Sequence, residues 1–453
     1  MKLLFVENRY ITWLWREVAL RLETDGHDIH WLVQNPIFKP DMGTCHVLSF
    51  PRAKRDAFCT NDRVPLLVTD RAVRYFGLTG DHHTSYQTAI AQVIDAQHPD
   101  MIFGEPTEFH ELIAVAEARR RGIPFLFPSS TRYPPGRIVF QLYDSLSTFG
   151  GCGVGLSRDD ALDLREAIVQ RRLVPSYMQP TRVAWITRQV RRIADRARIT
   201  LGWLAGERFV TPSPWRKIQL ERARRTNVAR WERCAHQALP TDLIGCPLVL
   251  YAMQVQPESN IDVWGHPWND QTAIIREAAD ALQGIGTKLV VKPNPRSKYE
   301  LSEDLCRLVG THPNIVPLAH GCKMDDVFPH ACAVLGVTGT VLLEAVLAGK
   351  PVGVLGTHPM ARYPGVTALS RPSDIALLVT DVLAKRARTA CPAEGAALLS
   401  ELHRTSYEGT LFDPLNQPEL ATAENLDRIA NAFRDVIATA TRPNSAMVAG
   451  APA

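Results

Sequence analysis

The chain has 453 residues, of which 45% are apolar and 22% charged, with a formal net charge of +4. These figures exclude a fibrous or disordered chain, and the length points to two domains rather than one core. No run of eighteen apolar residues occurs, which excludes a transmembrane helix, and the apolar stretch in Met1–Glu7 is too short for a signal peptide.

In chain order, the pattern predicts a strand over Lys2–Val6, a helix over Trp13–Leu22 stopped by Gly26, and strands over His27–Val33 and Cys45–Phe50. A helix over His82–Ala96 follows, then strand Met101–Phe103, helix Glu108–Arg121 closed by Gly122, and a short strand Phe125–Pro128. From Ser157 to Ala235 the pattern is mostly helical, with breaks at Pro175, Pro180 and Pro212-Ser213-Pro214. Alternation then restarts with strand Leu248–Met253, helix Thr272–Leu282, strand Lys288–Val291, helix Leu301–Val309, strand Ile315–Pro317 and a short helix Met324–Phe328. Strand Ala333–Val337 leads into a Gly turn and a helix in which Leu342, Leu343, Val346 and Leu347 repeat at helical spacing; Gly349 and Pro351 end it before strand Pro351–Leu355. Ser373–Lys385 and Asn425–Ala438 close the chain as helices. Such alternation predicts parallel sheets with helices on both faces. The fold class expected is α/β, two Rossmann-like domains facing across a cleft with a helical basic connecting segment. The divisions expected are 1–155, 156–240 for the connection, 241–405, 406–440 for closing helices, and 441–453 as a disordered tail.

Charge is unevenly spread. Residues 182–233 hold fourteen Lys or Arg against four acids, a local net of +10, which leaves about −6 for the rest. Trp185, Trp203, Trp215 and Trp231 lie in the same stretch. Basic residues with tryptophans suit an anionic membrane surface; the plainer reading is a solvated helix pair with its tryptophans packed inward. No motif supports nucleic-acid binding.

Ligands of such sheets bind beyond the carboxyl ends of the strands, and several strand ends carry polar groups. Glu105, Glu108, His110 and Glu111 crowd the end of the Met101 strand, where a carboxylate can act as base or nucleophile; Thr107 is the candidate N-cap of the following helix. Arg132 and Arg137 follow the next strand and suit a carboxylate, phosphate or sugar. In the second half the strand ends carry Gln256 and Glu258, then Lys292, Asn294 and Arg296, then His320, and finally Thr338-Gly339-Thr340. This last turn stands at a helix N-terminus, which favours a phosphate, with Glu344 one turn on and placed for a ribose hydroxyl. Each loop has a bland reading as solvated surface; together they suit a sugar nucleotide. The nine cysteines form no C-x-x-C pair, adjacent His82-His83 lack the spacing of a helical ligand pair, and no D-x-D motif occurs in a suitable loop. Neither a disulfide framework nor a metal is expected, and a reducing cytoplasm fits best.

The motifs Gln256-Pro257-Glu258, Lys292-x-x-Pro295, Thr338-Gly339-Thr340-x-x-x-Glu344-Ala345 and Gly349-Lys350-Pro351-Val352 resemble those of the bacterial capsular polysaccharide synthesis family. Gly104-Glu105-x-Thr107-x-x-His110-Glu111 and Arg132-Tyr133-Pro134-x-x-Arg137 resemble its branch of retaining β-Kdo transferases. The resemblance covers roughly residues 100–365. It implies a metal-independent GT-B glycosyltransferase with an N-terminal acceptor domain and a C-terminal nucleotide-sugar domain. It further implies CMP-Kdo as donor, no cofactor, and a capsule or O-antigen glycan, lipid-linked or polymeric, as acceptor. Catalysis would fall to Glu105, Glu108 and His110, acceptor binding to Arg132, Arg137 and Glu111. Donor binding would fall to Gln256, Glu258, Lys292, Asn294, Arg296, His320, Thr338, Gly339, Thr340 and Glu344. Where the family commonly has His-Pro, this chain has Asn294-Pro295, which can donate a hydrogen bond but carries no charge, so the donor stays open. The expected location is cytoplasmic, peripheral on the inner membrane if the basic segment binds lipid. Two alternatives stand beside this reading: a sugar-nucleotide epimerase of the same architecture, and a non-catalytic subunit of a polysaccharide assembly complex.

Overall fold

The structure, a computed structural model, describes residues 1–51, 68–173, 185–356 and 359–441. The breaks expected at Pro175 and Pro180, and nearly all of the expected tail, lie outside these residues.

Two sheets carry the fold. The first has seven strands: β1 (Lys2–Val6), β2 (Asp28–Val33), β3 (Thr44–Val47), β4 (Met101–Phe103), β5 (Phe125–Ser130), β6 (Arg137–Leu142) and β13 (Tyr407–Glu408). Their order is β13-β6-β5-β4-β1-β2-β3, with β1 to β5 parallel and the edge pair β6 and β13 antiparallel. The second has six strands: β7 (Leu248–Ala252), β8 (Lys288–Lys292), β9 (Ile315–Pro317), β10 (Ala333–Gly336), β11 (Val352–Leu355) and β12 (Val366–Leu369). It runs β12-β11-β10-β7-β8-β9 and is parallel throughout. In both sheets the first strand of the unit sits centrally and the chain then builds outward in both directions. That reversal of order is the topological switch point of a doubly wound sheet, at β1/β4 and at β7/β10.

Strand alternation explains the layers. Leu3 and Phe5 pack with Leu14, Trp15 and Val18 of the Thr12–Thr24 helix, while Leu4 and Val6 pack with Ile90 of His82–Gln97 and Ile113 of Phe109–Arg120. In the second sheet Val249 and Tyr251 meet Ile275 of Gln271–Gln283 and Val379 of Ile375–Leu383. Leu248 and Leu250 meet Leu342 and Val346 of Thr340–Leu347 and Leu398 of Pro392–Arg404. Burial on both faces is why these strands read as continuous apolar runs.

Most predicted elements stand within two residues of their expected bounds, the strand expected to run to Phe50 ends at Val47, and four further points differ. The N-cap of the Phe109–Arg120 helix is Glu108, not Thr107, because Glu108 and Glu111 form a reciprocal capping box. The expected helix Met324–Phe328 is two short 3₁₀ turns, Met324–Asp326 and Phe328–His330. Strands β6, β12 and β13 and the helix Pro392–Arg404 had no predicted counterpart. Finally, 406–440, expected as closing helices, returns to the first sheet: β13 pairs with β6 (Tyr407 opposite Ile138) and helix Ala423–Ala440 buries Phe433 against Phe5, Phe103 and Phe140.

The basic segment forms helices Trp185–Ala205 and Pro214–Cys234. Trp231 is fully buried and its indole N–H donates to the Leu318 carbonyl at 2.9 Å, as the plainer reading expects. Trp215 is instead 63% exposed. Among the described residues no helix is long and apolar enough to cross a membrane.

Candidate functional site

At the β1/β4 switch point the loop after β4 is built around one buried carboxylate. Glu111 accepts from the backbone N–H groups of Glu105 (2.8 Å), Glu108 (3.0 Å) and Thr107 (3.3 Å), from the Thr107 hydroxyl (3.0 Å) and from Asn8 Nδ2 (3.0 Å). It has no exposed surface. Burial pushes its carboxyl well up, and the N–H donors pull the other way. Glu111 therefore holds the loop and is not placed to meet an acceptor. His110 also turns inward: it is buried, and Nε2 lies 2.7 Å from the Glu7 carbonyl oxygen. The expected catalytic role fails for His110 on geometry, since the helix places its ring beneath the loop rather than above it.

Glu105 remains facing the cleft. Its carboxylate has no hydrogen-bond partner among the described residues and keeps part of its surface open. The walls around it remove most bulk water, and this desolvation pushes its carboxyl up to about 7; Arg71 opposes the rise and Glu108 adds to it. Glu108 is buried and paired to Arg71 Nη1 at 2.9 Å.

Arg71 begins a segment that sequence reasoning left unassigned. Burial disfavours its charge, yet Glu108 and, across the cleft, Asp262 outweigh this and hold the guanidinium strongly protonated. Three residues on, Arg74 Nη1 lies 3.2 Å from Asp262 Oδ1 and Nη2 donates to the Asn269 carbonyl at 2.7 Å. The Tyr75 hydroxyl donates to the same Asp262 oxygen at 3.0 Å, as does Gln256 Nε2 at 2.7 Å. Gln256 also donates to the Asn269 carbonyl at 3.0 Å, so its amide is spent on this interdomain clamp rather than left for a donor. Glu258 stands beside it with its residue surface largely open; partial desolvation of the carboxyl group raises its pKa, and Lys298, Arg132 and Arg71 oppose the rise.

At the β7/β10 switch point Gln254 Nε2 donates to the Thr338 hydroxyl oxygen at 2.6 Å, and that hydroxyl donates to the Asn260 carbonyl at 2.7 Å. Gly339 has φ of 111°, and a Cβ there would stand 2.8 Å from Gln254 Nε2, so only glycine fits the turn. Thr340 opens the helix behind it. Along the same sheet edge, Lys292 is buried with no salt bridge among the described residues; its Nζ reaches only the Pro293 carbonyl, at 3.5 Å. Desolvation lowers its pKa. His320 places Nδ1 2.5 Å from Glu232 Oε1, which fixes the ring, while Nε2 is buried without a hydrogen bond among the described residues. A buried amine without a counter-ion is the arrangement an anionic ligand would complete.

The other expected residues divide. Asn294 turns its own loop, accepting from the Arg296 N–H at 2.9 Å, and Arg296 and Arg132 are exposed. Arg137 is buried and ties β6 to the returning chain through Ser406 Oγ (2.8 Å) and the Ser406 carbonyl (2.8 Å), so it cannot serve an acceptor. Glu344 has both oxygens engaged, Oε1 by the Tyr133 hydroxyl at 3.1 Å and Oε2 by Arg171 Nη1 at 2.7 Å. It braces the two domains, and the ribose contact expected of it is not free to form. The tyrosine and arginine that occupy it come from distant parts of the chain, which no local spacing displays.

The fold and these side chains define a two-domain α/β protein with a polar crevice at each topological switch point. No family model matches the chain, and no curated protein matches it. Among solved structures it is similar to the β-Kdo 2,7 transferase KpsC of Thermosulfurimonas dismutans, at 12% identity and a TM-score of 0.39, over 91% of this chain and 94% of that one. It is also similar to UDP-GlcNAc 2-epimerase from Neisseria meningitidis bound to UDP-GlcNAc, at 13% identity and a TM-score of 0.32 over 89% and 98%. A third is WaaG, a glycosyltransferase involved in lipopolysaccharide biosynthesis, at 11% identity and a TM-score of 0.28 over 92% and 98%. Superpositions this loose say nothing about the chemistry of this chain.

Proposed function

We propose that the chain is a GT-B glycosyltransferase that takes its sugar from a nucleotide donor. The observation that carries this reading is the pair of switch-point crevices with opposite chemistry. One holds a cleft carboxylate poised near neutrality, Glu105. The other holds Lys292, buried with no salt bridge among the described residues, at the end of β8, and the glycine turn that opens the Thr340–Leu347 helix, after β10 of the same sheet. Donor phosphate would sit on the turn Thr338–Thr340 with Lys292 and His320 Nε2 around it, and these groups would stabilise the leaving phosphate as charge develops. Glu105, unprotonated above about 7, would act in one of two ways: as a base that takes the proton of the attacking acceptor hydroxyl, which inverts the anomeric centre, or as a nucleophile that displaces the nucleotide and is itself displaced by the acceptor, which retains it as the resemblance implies. Arg71 would keep that carboxylate from rising further.

For the donor we infer an acidic sugar carried on CMP, Kdo being the best match to the resemblance; the exposed Arg132 would meet its carboxylate. The acceptor would be a bacterial surface glycan on a lipid carrier. The helix Trp185–Ala205 supports delivery at a membrane: Val190, Ile193, Leu201 and Leu204 are each at least 60% exposed on one face. Arg196 and Arg198 flank that stripe. The test is calorimetric titration with CMP, UDP and GDP, for the whole chain and for Lys292→Ala. CMP binding weakened at least tenfold by the substitution is expected. UDP or GDP binding in its place removes the CMP assignment, and no nucleotide binding at millimolar concentration removes the transferase reading.

A further inference from the structure

A second cluster of titratable groups lies behind Arg71 and takes no part in the chemistry above. Asp70 Oδ2 is 2.6 Å from His83 Nε2 and 3.1 Å from His82 Nε2. The three ligating atoms all fall within 4.8 Å of one another. The residues are 2%, 2% and 4% exposed for Asp70, His83 and His82 respectively.

A simple carboxylate–imidazole pair would need only one histidine. Here the second nitrogen converges as well, and His82 Nε2 is buried with no hydrogen bond of acceptable geometry among the described residues. The geometry is held from outside. Asp70 Oδ1 accepts the Ala72 N–H at 2.7 Å, which orients the carboxylate. The His82 ring lies edge-on to Phe109 with centroids 4.7 Å apart, and stacks on Phe209 at 4.8 Å. Four-coordinate zinc, with bonds near 2.0–2.1 Å, would hold its ligand atoms roughly 3.3 Å apart, so the 3.1 and 2.6 Å contacts would open by roughly 0.2 and 0.7 Å, with the two nitrogens already within 4.8 Å of each other.

We propose that Asp70, His82 and His83 bind a divalent first-row cation, zinc being the best match to two imidazoles and one carboxylate, with water as the fourth ligand. The expectation of no metal rested, for these histidines, on the His82-His83 spacing alone; the third candidate ligand lies thirteen residues before His83, where that spacing does not reach. The cation would fasten the Asp70–Phe76 segment to the His82–Gln97 helix. That segment carries Arg71 to Glu108, and Arg74 and Tyr75 to Asp262, so the site would brace the cleft without touching substrate. The inference does not depend on the transferase reading.

The test titrates the metal-stripped, tag-free full chain with cobalt(II) and follows the visible bands of four-coordinate cobalt, then displaces it with zinc. One cobalt per chain, displaced by zinc and accompanied by a rise in Tm, is expected. Asp70→Asn and His83→Gln should each weaken binding about a hundredfold or more while leaving the circular dichroism unchanged. Failure of either metal to bind at micromolar free concentration overturns the proposal, as does binding that both variants retain. X-ray absorption on zinc-loaded wild type needs no variant: two imidazoles in the first shell support the site, and a thiolate shell or a single imidazole sinks it.

Discussion

At the scale of single residues, the cleft separates groups that look alike in sequence. Glu105, Glu108 and Glu111 follow one another across a loop, an N-cap and the first turn of a helix, yet one faces the cleft, one pairs with Arg71 and one is walled in by N–H donors. Replacing Glu105 by Gln should cut turnover by about 10²–10⁴-fold with little change in nucleotide affinity, if it is the base. The wild-type rate should rise with pH through about 7, and that limb should vanish in the variant. The same residue bears on stability. Its folded pKa lies above the usual carboxylate value, so between the two the folded state holds more protons and stability falls as pH rises. Glu105→Gln should thus be more stable than wild type at pH 8, by roughly 1–2 kcal/mol after allowance for partial solvent contact, with the gain gone below about pH 4. Urea melts at the two pH values check the sign. Glu344 makes the opposite prediction. Both its oxygens are committed to Tyr133 and Arg171, so Glu344→Ala should lower stability by roughly 1–3 kcal/mol and leave CMP affinity within a few-fold of wild type. A loss of CMP binding as deep as that of Lys292→Ala would restore the ribose role.

At the scale of elements, legibility followed the kind of information each segment carries. Strands buried on both faces, such as Leu3 to Val6 and Leu248 to Leu250, announce themselves as apolar runs. So does the turn Thr338-Gly339-Thr340, whose glycine answers to a local backbone demand. Strand β13 was illegible because it is a two-residue edge strand whose partner, β6, lies hundreds of residues earlier, whereas β6 pairs locally with β5 and was hidden by the proline-containing loop between them. The roles of His110 and Arg137 were illegible for a related reason: residue type tells what a side chain can do, and only packing tells which way it points. The helix Trp185–Ala205 lies between these cases. Its composition suggested a surface, and the structure adds that Ile193 and Leu204 stand 66% and 65% exposed on its outer face. An apolar stripe flanked by arginines matches an anionic bilayer better than water. Sedimentation with phosphatidylglycerol vesicles should therefore carry the protein down, and phosphatidylcholine vesicles should carry much less. The double change Ile193→Asp and Leu204→Asp should abolish the difference without lowering Tm; a protein that ignores both vesicles, or a variant that binds as before, removes the membrane role from this helix.

At the scale of the whole molecule, the chain leaves its first domain, builds the second, and returns to finish the first. The last strand and the last long helix complete the N-terminal sheet, and Phe433 sits among Phe5, Phe103 and Phe140 with ring centroids 4.7–6.2 Å apart. The cleft carboxylate is thereby tied to the far end of the sequence, since Phe103 is the residue of β4 that precedes the Gly104-Glu105 turn. Returning late also means that the N-terminal sheet cannot close until residues beyond 407 are available. Phe433→Ala removes a large buried ring from that aromatic cluster and should cost about 3–5 kcal/mol. The loss should be unequal. Amide exchange should quicken in β1, β4 and β6, while β7, β8 and β10 keep their protection, because the core on which Phe433 packs contains no residue of the second sheet. Turnover should fall with the loosened Glu105 loop, whereas nucleotide binding at the second switch point should persist. Equal loss of protection in both sheets would mean that the braces through Asp262 and Glu344 fuse the two domains into one cooperative unit, and the late-returning helix would then stabilise the entire molecule.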